Sequence, residues 1–194
     1  MSVKNETHYL FWRGAYSQWY MSDMYDPKTG LIFCCCEQYM MYKKAELFDD
    51  KNIMQDVMCT EDPREIKALG RLVQNYDDAK WNEVCRIEVA YGNYLKFSQK
   101  PDLLKLLYKY KDLILVEASP YDPKWGIGLA EDHPDALDPT KWKGLNWLGE
   151  AIMDARDLIL NGQGHVYTHL KVKDVTRRLN AMKKDKYLDT PPVY

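Results

Sequence analysis

The sequence predicts a mainly helical domain with a small β component, an α+β fold, and three features lead to it. Apolar residues recur mostly at helical spacing, as in LNWLGEAIMDARDLIL, where Leu145, Leu148, Ile152, Ala155 and Ile159 share one face. Strand character is confined to short runs: HYLFW near the start, LIFCCC after a DPKTG turn, and LILVEAS. The 194 residues, 46% hydrophobic and 29% charged, can bury one substantial core and leave little room for a second. The domain is expected over residues 1–162, followed by a basic, partly helical extension at 163–194 that carries Val175, Leu179 and Met182 on one side.

Taken in chain order, residues 8–12 are β-prone and lead through Gly14 into an aromatic loop. The DPKTG turn joins MY to LIFCCC as a hairpin. Residues 37 to about 48 are good helix formers, with Met41, Lys44 and Phe48 following Glu37 at helical spacing. EDPREIKALGRLV opens with Asp62 and Pro63, places Glu65 for a capping box and sets Ile66, Leu69 and Val73 inward. Asp77 or Asp78 caps a longer helix in which Trp81, Cys85, Glu88, Gly92 and Leu95 share a face until Ser98 and Pro101 interrupt it. PDLLKLLYKY is a short helix. The buried strand LILVEAS then delivers Glu117 into the loop PYDPKWGIGL.

Composition narrows the function. A formal charge of −2 excludes the broad basic surface of a non-specific nucleic-acid binder, although a local patch can hide in a balanced total. No apolar run reaches the roughly 18 residues that span a bilayer, and the first residues lack the apolar core of a secretory signal, so no membrane association and a cytoplasmic location are expected. Five cysteines, an odd number with three adjacent, read as reduced thiols.

The stretch CCCEQYMMYKK frames the choice of site. Three consecutive cysteines point in different directions on a helix or a strand and make a poor tetrahedral cage, and Cys59 and Cys85 could add ligands only through the fold, so the cysteines read as buried, inert thiols. Glu37 and Lys44 lie seven residues apart, nearly two helical turns and roughly 10 Å of rise on one face. That gap suits a small sugar or phosphate between a carboxylate and a cation, while the default for such a pair is two solvated surface charges. EASPYDPKWGIG joins Glu117 and Asp122 to Trp125, Gly126 and Gly128 just after a strand, where loops often carry function; the glycines are equally ordinary turn residues. Trp81 can stack on a base and Arg71 or Arg86 can grip a phosphate, against bland readings as core packing and surface charge. Pattern alone yields no decisive catalytic signature.

Six segments in order, FWRGAYSQWY, CCEQYMMYKKAELFDD, DPREIKALGRLV, WNEVCRIEVAYGNYLKFSQ, LVEASPYDPKWGIGL and WKGLNWLGEAIMDAR, resemble the NADAR or YbiA-like family, whose members include N-glycosidases. The resemblance runs from about residue 9 to 160 and implies a single-domain YbiA-like fold that hydrolyses a bond between ribose C1′ and nitrogen. Family substrates include phosphorylated ribosylamino-pyrimidines of the riboflavin pathway and ADP-ribose on guanine bases. By resemblance, Glu37 is the motif glutamate near C1′, and a fixed carboxylate there would stabilise oxocarbenium character and orient or deprotonate water. Asp122 would be the second carboxylate, and Lys44 the motif lysine binding phosphate or leaving base. Trp81 and Trp125 would stack on the base or exclude water, with Arg13 and Arg71 as phosphate ligands and Gly126 allowing close backbone approach. The expected partner is a small phosphorylated ribosyl or ADP-ribosyl compound, with modified nucleic acid as an alternative substrate and no cofactor or metal. A non-catalytic module that binds ADP-ribose or NAD is the rival of another class. The chain carries SQWY and EQYMM where another version of the family pattern has SNF and EHYYQ, a difference that bears on substrate.

Overall fold

The computed structural model describes residues 3–161, and the expected basic extension lies outside the described residues. Strands β1 (Val3–Lys4), β2 (His8–Phe11) and β5 (Ile114–Glu117) form one sheet in the order β1-β2-β5. The first pairing is antiparallel. The second is parallel, with Phe11 opposite Glu117. A parallel pair needs a crossover, and here the crossover contains a hairpin and five helices. The hairpin of β3 (Met24–Asp26) and β4 (Leu31–Phe33) closes where the Gly30 N–H donates to the Asp26 carbonyl at 2.8 Å, with Gly30 at φ 72°. The Asp26 carboxylate ties down the same turn through the Lys28 N–H and the Thr29 hydroxyl.

The helices are α1 (Cys36–Leu47), α2 (Lys51–Met58), α3 (Pro63–Gly70), α4 (Asp78–Ser98), α5 (Pro101–Lys109) and α6 (Trp147–Asn161). Side chains of Asp50, Asp62 and Asp77 accept the first-turn N–H groups of α2, α3 and α4, which satisfies otherwise orphaned donors. Glu65 does not close the predicted capping box on the Asp62 N–H; it bonds the Thr60 hydroxyl, which itself accepts from the Asp62 N–H. α2 is absent from the sequence expectations because it buries only Ile53 and Val57. Nor is α4 a one-sided helix: residues from Cys85 to Asn93 are all buried, because it runs through the middle of the domain against α1 and α6. Leu145, predicted on the inner face of α6, precedes that helix and is exposed. Among the described residues no helix is long and apolar enough to cross a membrane.

Past Glu117 the chain enters the long irregular segment predicted between β5 and α6. Asn146 holds it to the sheet. Its side chain accepts from the Glu117 N–H at 2.9 Å and donates to the Leu115 carbonyl at 3.0 Å, mimicking a further strand along the edge of β5, while its own backbone sits at φ 54°. Asn146→Ala leaves both backbone groups unpaired in the interior. The expected cost is about 2–4 kcal/mol, at about 1–3 kcal/mol per orphaned group. Thermal unfolding followed by circular dichroism should then show a midpoint about 5–15 °C lower.

Candidate active site

A cleft of about 1170 Å³ opens between the aromatic loop after β2, helices α1 and α3, the start of α4 and the loop after β5. Its acidic part is built from two directions. Glu37 stands in the first turn of α1, where the helix dipole favours negative charge, and its N–H donates to the Gln18 carbonyl at 3.0 Å. Glu117 ends β5, and Asp122 follows in the next loop. Asp122 Oδ1 accepts from the N–H groups of Lys124 at 3.0 Å and Trp125 at 2.8 Å, so this carboxylate shapes the loop that presents it.

Glu37 is only 5% exposed, and burial pushes its carboxyl up to about 7. Lys67 and a hydrogen bond from the Trp19 side chain oppose that shift, the Asp122 charge adds to it, and Arg71 opposes it again. Burial also holds Glu117 well above the usual carboxylate range, reinforced by Asp122 and resisted by Lys67 and Lys96. Nearby acids in such environments titrate at different pH and can take different parts in one reaction.

Cations also line the cleft. Lys44 lies two turns along α1 from Glu37; its ammonium donates to the Gly70 carbonyl at 2.6 Å and sits 4.1 Å from the centre of the Tyr76 ring. Burial lowers its pKa, and the neighbouring Lys124 and Arg71 charges contribute to that shift while Asp78 opposes it. Arg64, Lys67 and Arg71 reach the cleft from α3 and its C-cap, and Arg13 reaches it from the aromatic loop. Glu37 and Lys44 are therefore not a solvated surface pair. Both line the cleft.

The structure brings seven of the eight sequence-predicted residues to this cleft: Glu37, Lys44, Asp122, Arg13, Arg71, Trp81 and Trp125. Gly126 is not among the lining residues. A Cβ there would come within 2.9 Å of the Asp122 and Glu117 carbonyl oxygens, so its smallness closes the loop behind the wall. Arg86 is likewise outside the lining, buried and paired with Glu150 at 2.5 Å. The cysteines divide: Cys34, Cys35, Cys36 and Cys85 are buried, with burial pushing Cys34 and Cys36 up to about 12, while Cys59, the C-cap of α2, is exposed rather than buried as expected. Among the described residues no group of three or more His, Cys, Asp and Glu side chains is arranged to hold a metal ion.

Sequence reasoning passed over Gln18, Trp19 and Lys67, and weighed Glu117 without selecting it. Arg64, Lys67 and Arg71 recur at i, i+3 and i+7, a basic stripe opposite Ile66, but such a stripe is ordinarily a solvated helix face and does not by itself mark a site. For Trp19 and Gln18 the only signal was the SQWY motif itself.

Two pH effects follow. A carboxyl whose folded pKa is raised contributes full stability below its unfolded value near 4.5 and loses that contribution as pH rises through about 7. Glu37→Gln removes the charge, so at pH 8 the variant should be more stable than wild type by on the order of 2–3 kcal/mol, an advantage that vanishes at pH 4. Denaturant unfolding at the two pH values measures it. Lys67→Met deletes the strongest opposing charge, which drives Glu37 further up. The acid limb of a kcat/KM profile should consequently move to higher pH, whereas an unmoved limb would dissociate Lys67 from Glu37.

The cleft gathers carboxylates, cations and indoles around one cavity. A protein-family profile, the NADAR domain, matches residues 8–160. The chain is 37% identical over 161 residues to N-glycosidase R617 of Acanthamoeba polyphaga mimivirus, covering 77% of this chain and 95% of that protein. It is 32% identical over 115 residues to the maize (Zea mays) protein named Riboflavin biosynthesis protein PYRR, chloroplastic, covering 57% of this chain and 16% of that one. The NMR structure of the E. coli protein YbiA superposes with a TM-score of 0.64 at 22% identity, covering 86% of this chain and 94% of that one, and shares the fold. The chain belongs to the NADAR domain family, and its relation to proteins named N-glycosidase makes it a hydrolase of N-glycosyl bonds.

Proposed function

We propose that the cleft hydrolyses the bond between ribose C1′ and a nitrogen in a phosphorylated ribosyl compound, with the ribosylamino-pyrimidines of riboflavin synthesis as the substrate class. One observation carries this reading: a buried carboxylate, Glu37, shares one cleft with Glu117, Asp122, a group of cations and several indoles. The partial likeness to the maize protein named for riboflavin biosynthesis supports the choice of class.

The chemistry divides among the residues as follows. As the C1′–N bond breaks, its electron pair leaves with the nitrogen and positive charge grows on C1′ and the ring oxygen. Ionised Glu37 stabilises that charge in a site with little water, where a fixed charge acts strongly. With its pKa near 7 it is also matched to accept the proton of the attacking water at neutral pH. Glu117, whose carboxyl burial raises well above the usual carboxylate range, suits proton donation to the leaving nitrogen. Lys44, Lys67 and Arg71 hold the phosphate, and Trp81 and Trp125 pack on the base.

The cleft volume favours a second, larger substrate. About 1170 Å³ exceeds the roughly 300–1,000 Å³ of ordinary small-molecule sites, enough for a nucleotide-linked sugar such as ADP-ribose joined to guanine.

Incubation with ribosylamino-pyrimidine phosphates and ADP-ribosylated guanosine, with products read by mass spectrometry, separates the two. Glu37→Gln is expected to lower kcat by about 10²–10⁴-fold on whichever is cleaved. A folded variant with full activity would remove Glu37 from the chemistry. Tight calorimetric binding of ADP-ribose without turnover of either substrate would point instead to a binding module.

A further inference from the structure

The dipeptide Ser17–Gln18 is held by more buried polar contacts than a surface loop requires. From α4, one turn apart, the Lys96 ammonium donates to the Ser17 carbonyl at 3.0 Å and the Asn93 side chain reaches the Gln18 side chain at 3.0 Å. Both α4 residues are fully buried, and burial lowers the pKa of Lys96. From α1, the Glu37 N–H donates to the Gln18 carbonyl.

Donor and acceptor chemistry fixes which way the Gln18 amide faces. The Val89 carbonyl can only accept, and it lies 2.9 Å from the Asn93 amide, so the Asn93 atom facing it is the NH₂. That same NH₂ lies 3.0 Å from Gln18, which must present its oxygen in return. Gln18 Nε2 is then left over, on a side chain 9% exposed that lines the cleft, with no hydrogen-bond partner among the described residues. An orphaned buried donor is costly unless some other state pairs it.

We propose that Gln18 contacts substrate, its Nε2 donating to the hydroxyl on the sugar carbon next to the anomeric carbon, with Asn93 as the residue that positions it. The proposal rests on the ribosyl-hydrolase reading above. The Glu37 N–H is bound to the Gln18 carbonyl and both residues line the cleft, so a sugar whose anomeric carbon lies beside the Glu37 carboxylate would bring the hydroxyl of the neighbouring carbon toward Gln18. In glycosidases hydrogen bonds to that hydroxyl strengthen as the bond breaks.

The test compares ribosyl and 2-deoxyribosyl versions of one substrate in wild type and Gln18→Met, which keeps side-chain length and removes the amide. Deoxy sugars are intrinsically more labile, and comparing the ribosyl-to-deoxyribosyl ratio between the two proteins cancels that difference. The ratio of kcat/KM values should fall about 10-fold or more in the variant, through slower turnover of the ribosyl compound alone. Asn93→Leu should lower the ratio less, and the double variant should match Gln18→Met, since a positioning residue adds nothing once its target is gone. Equal losses on both sugars, or an unchanged ratio in a folded variant, overturns the proposal. If no ribosyl compound is cleaved, the reading of the reaction has failed, and calorimetry with ribose 5-phosphate and 2-deoxyribose 5-phosphate still decides this one. A wild-type preference for the first that Gln18→Met abolishes upholds it, and matching preferences in both proteins sink it.

Discussion

Glu37 carries a carboxylate with 5% of its surface open to solvent, and much of the cleft answers the cost of charging it there. Burial alone would leave the group protonated and useless as a base or as a counter-charge. Lys67, the Trp19 hydrogen bond and Arg71 oppose that rise, and the carboxyl comes to about 7. The balance is narrow by construction. A cation moved closer would lower that value and one removed would raise it.

Each contributor comes from a different part of the chain, which explains the architecture around the site. α1 supplies Glu37 and Lys44, α3 supplies Lys67, the parallel β2–β5 pair sets Glu117 beside the end of β2, and α4 holds the aromatic loop from beneath. The parallel β2–β5 pairing closes over the hairpin and five helices, so Glu117 and Glu37, 80 residues apart in sequence, are brought together by packing rather than by a local turn. Asn146 and Gly126 matter for the same reason. They fix the chain after β5 at backbone atoms, where an error of a fraction of an ångström is passed directly to the carboxylates.

The elements that were legible in the sequence are those with strong local grammar. Asp-Pro opens α3, Asp77 caps α4, DPKTG turns the hairpin, and Leu148, Ile152, Ala155 and Ile159 mark α6, all interactions between residues close in sequence. α2 was hidden because two buried residues make too thin a stripe to stand out. Glu37, Lys44 and Asp122 were reachable through motifs, whereas Lys67 and Gln18 acquire meaning only in three dimensions. Nothing local distinguishes Lys67 from a solvated helix lysine until Glu37 is set against it. Gln18 is an ordinary polar loop residue until Asn93, 75 positions away, decides which of its amide atoms faces the cleft.

The arrangement of charge also limits what the cleft can hold. Carboxylates and cations share one cavity without being spent on one another: Lys44 is bound to a backbone carbonyl and a tyrosine face, and the Glu37 hydrogen bond is to an indole. Collapsed into direct ion pairs, these groups would rigidify the domain and leave nothing for a ligand. Glu37 and Lys44 stand nearly two turns of α1 apart, roughly 10 Å along the axis, a spacing that under the proposed reaction would put an anionic group at one end of the ligand and the developing positive charge at the other. On that proposed reading a phosphorylated sugar losing its base would engage both ends, while a neutral nucleoside would engage only the acidic one.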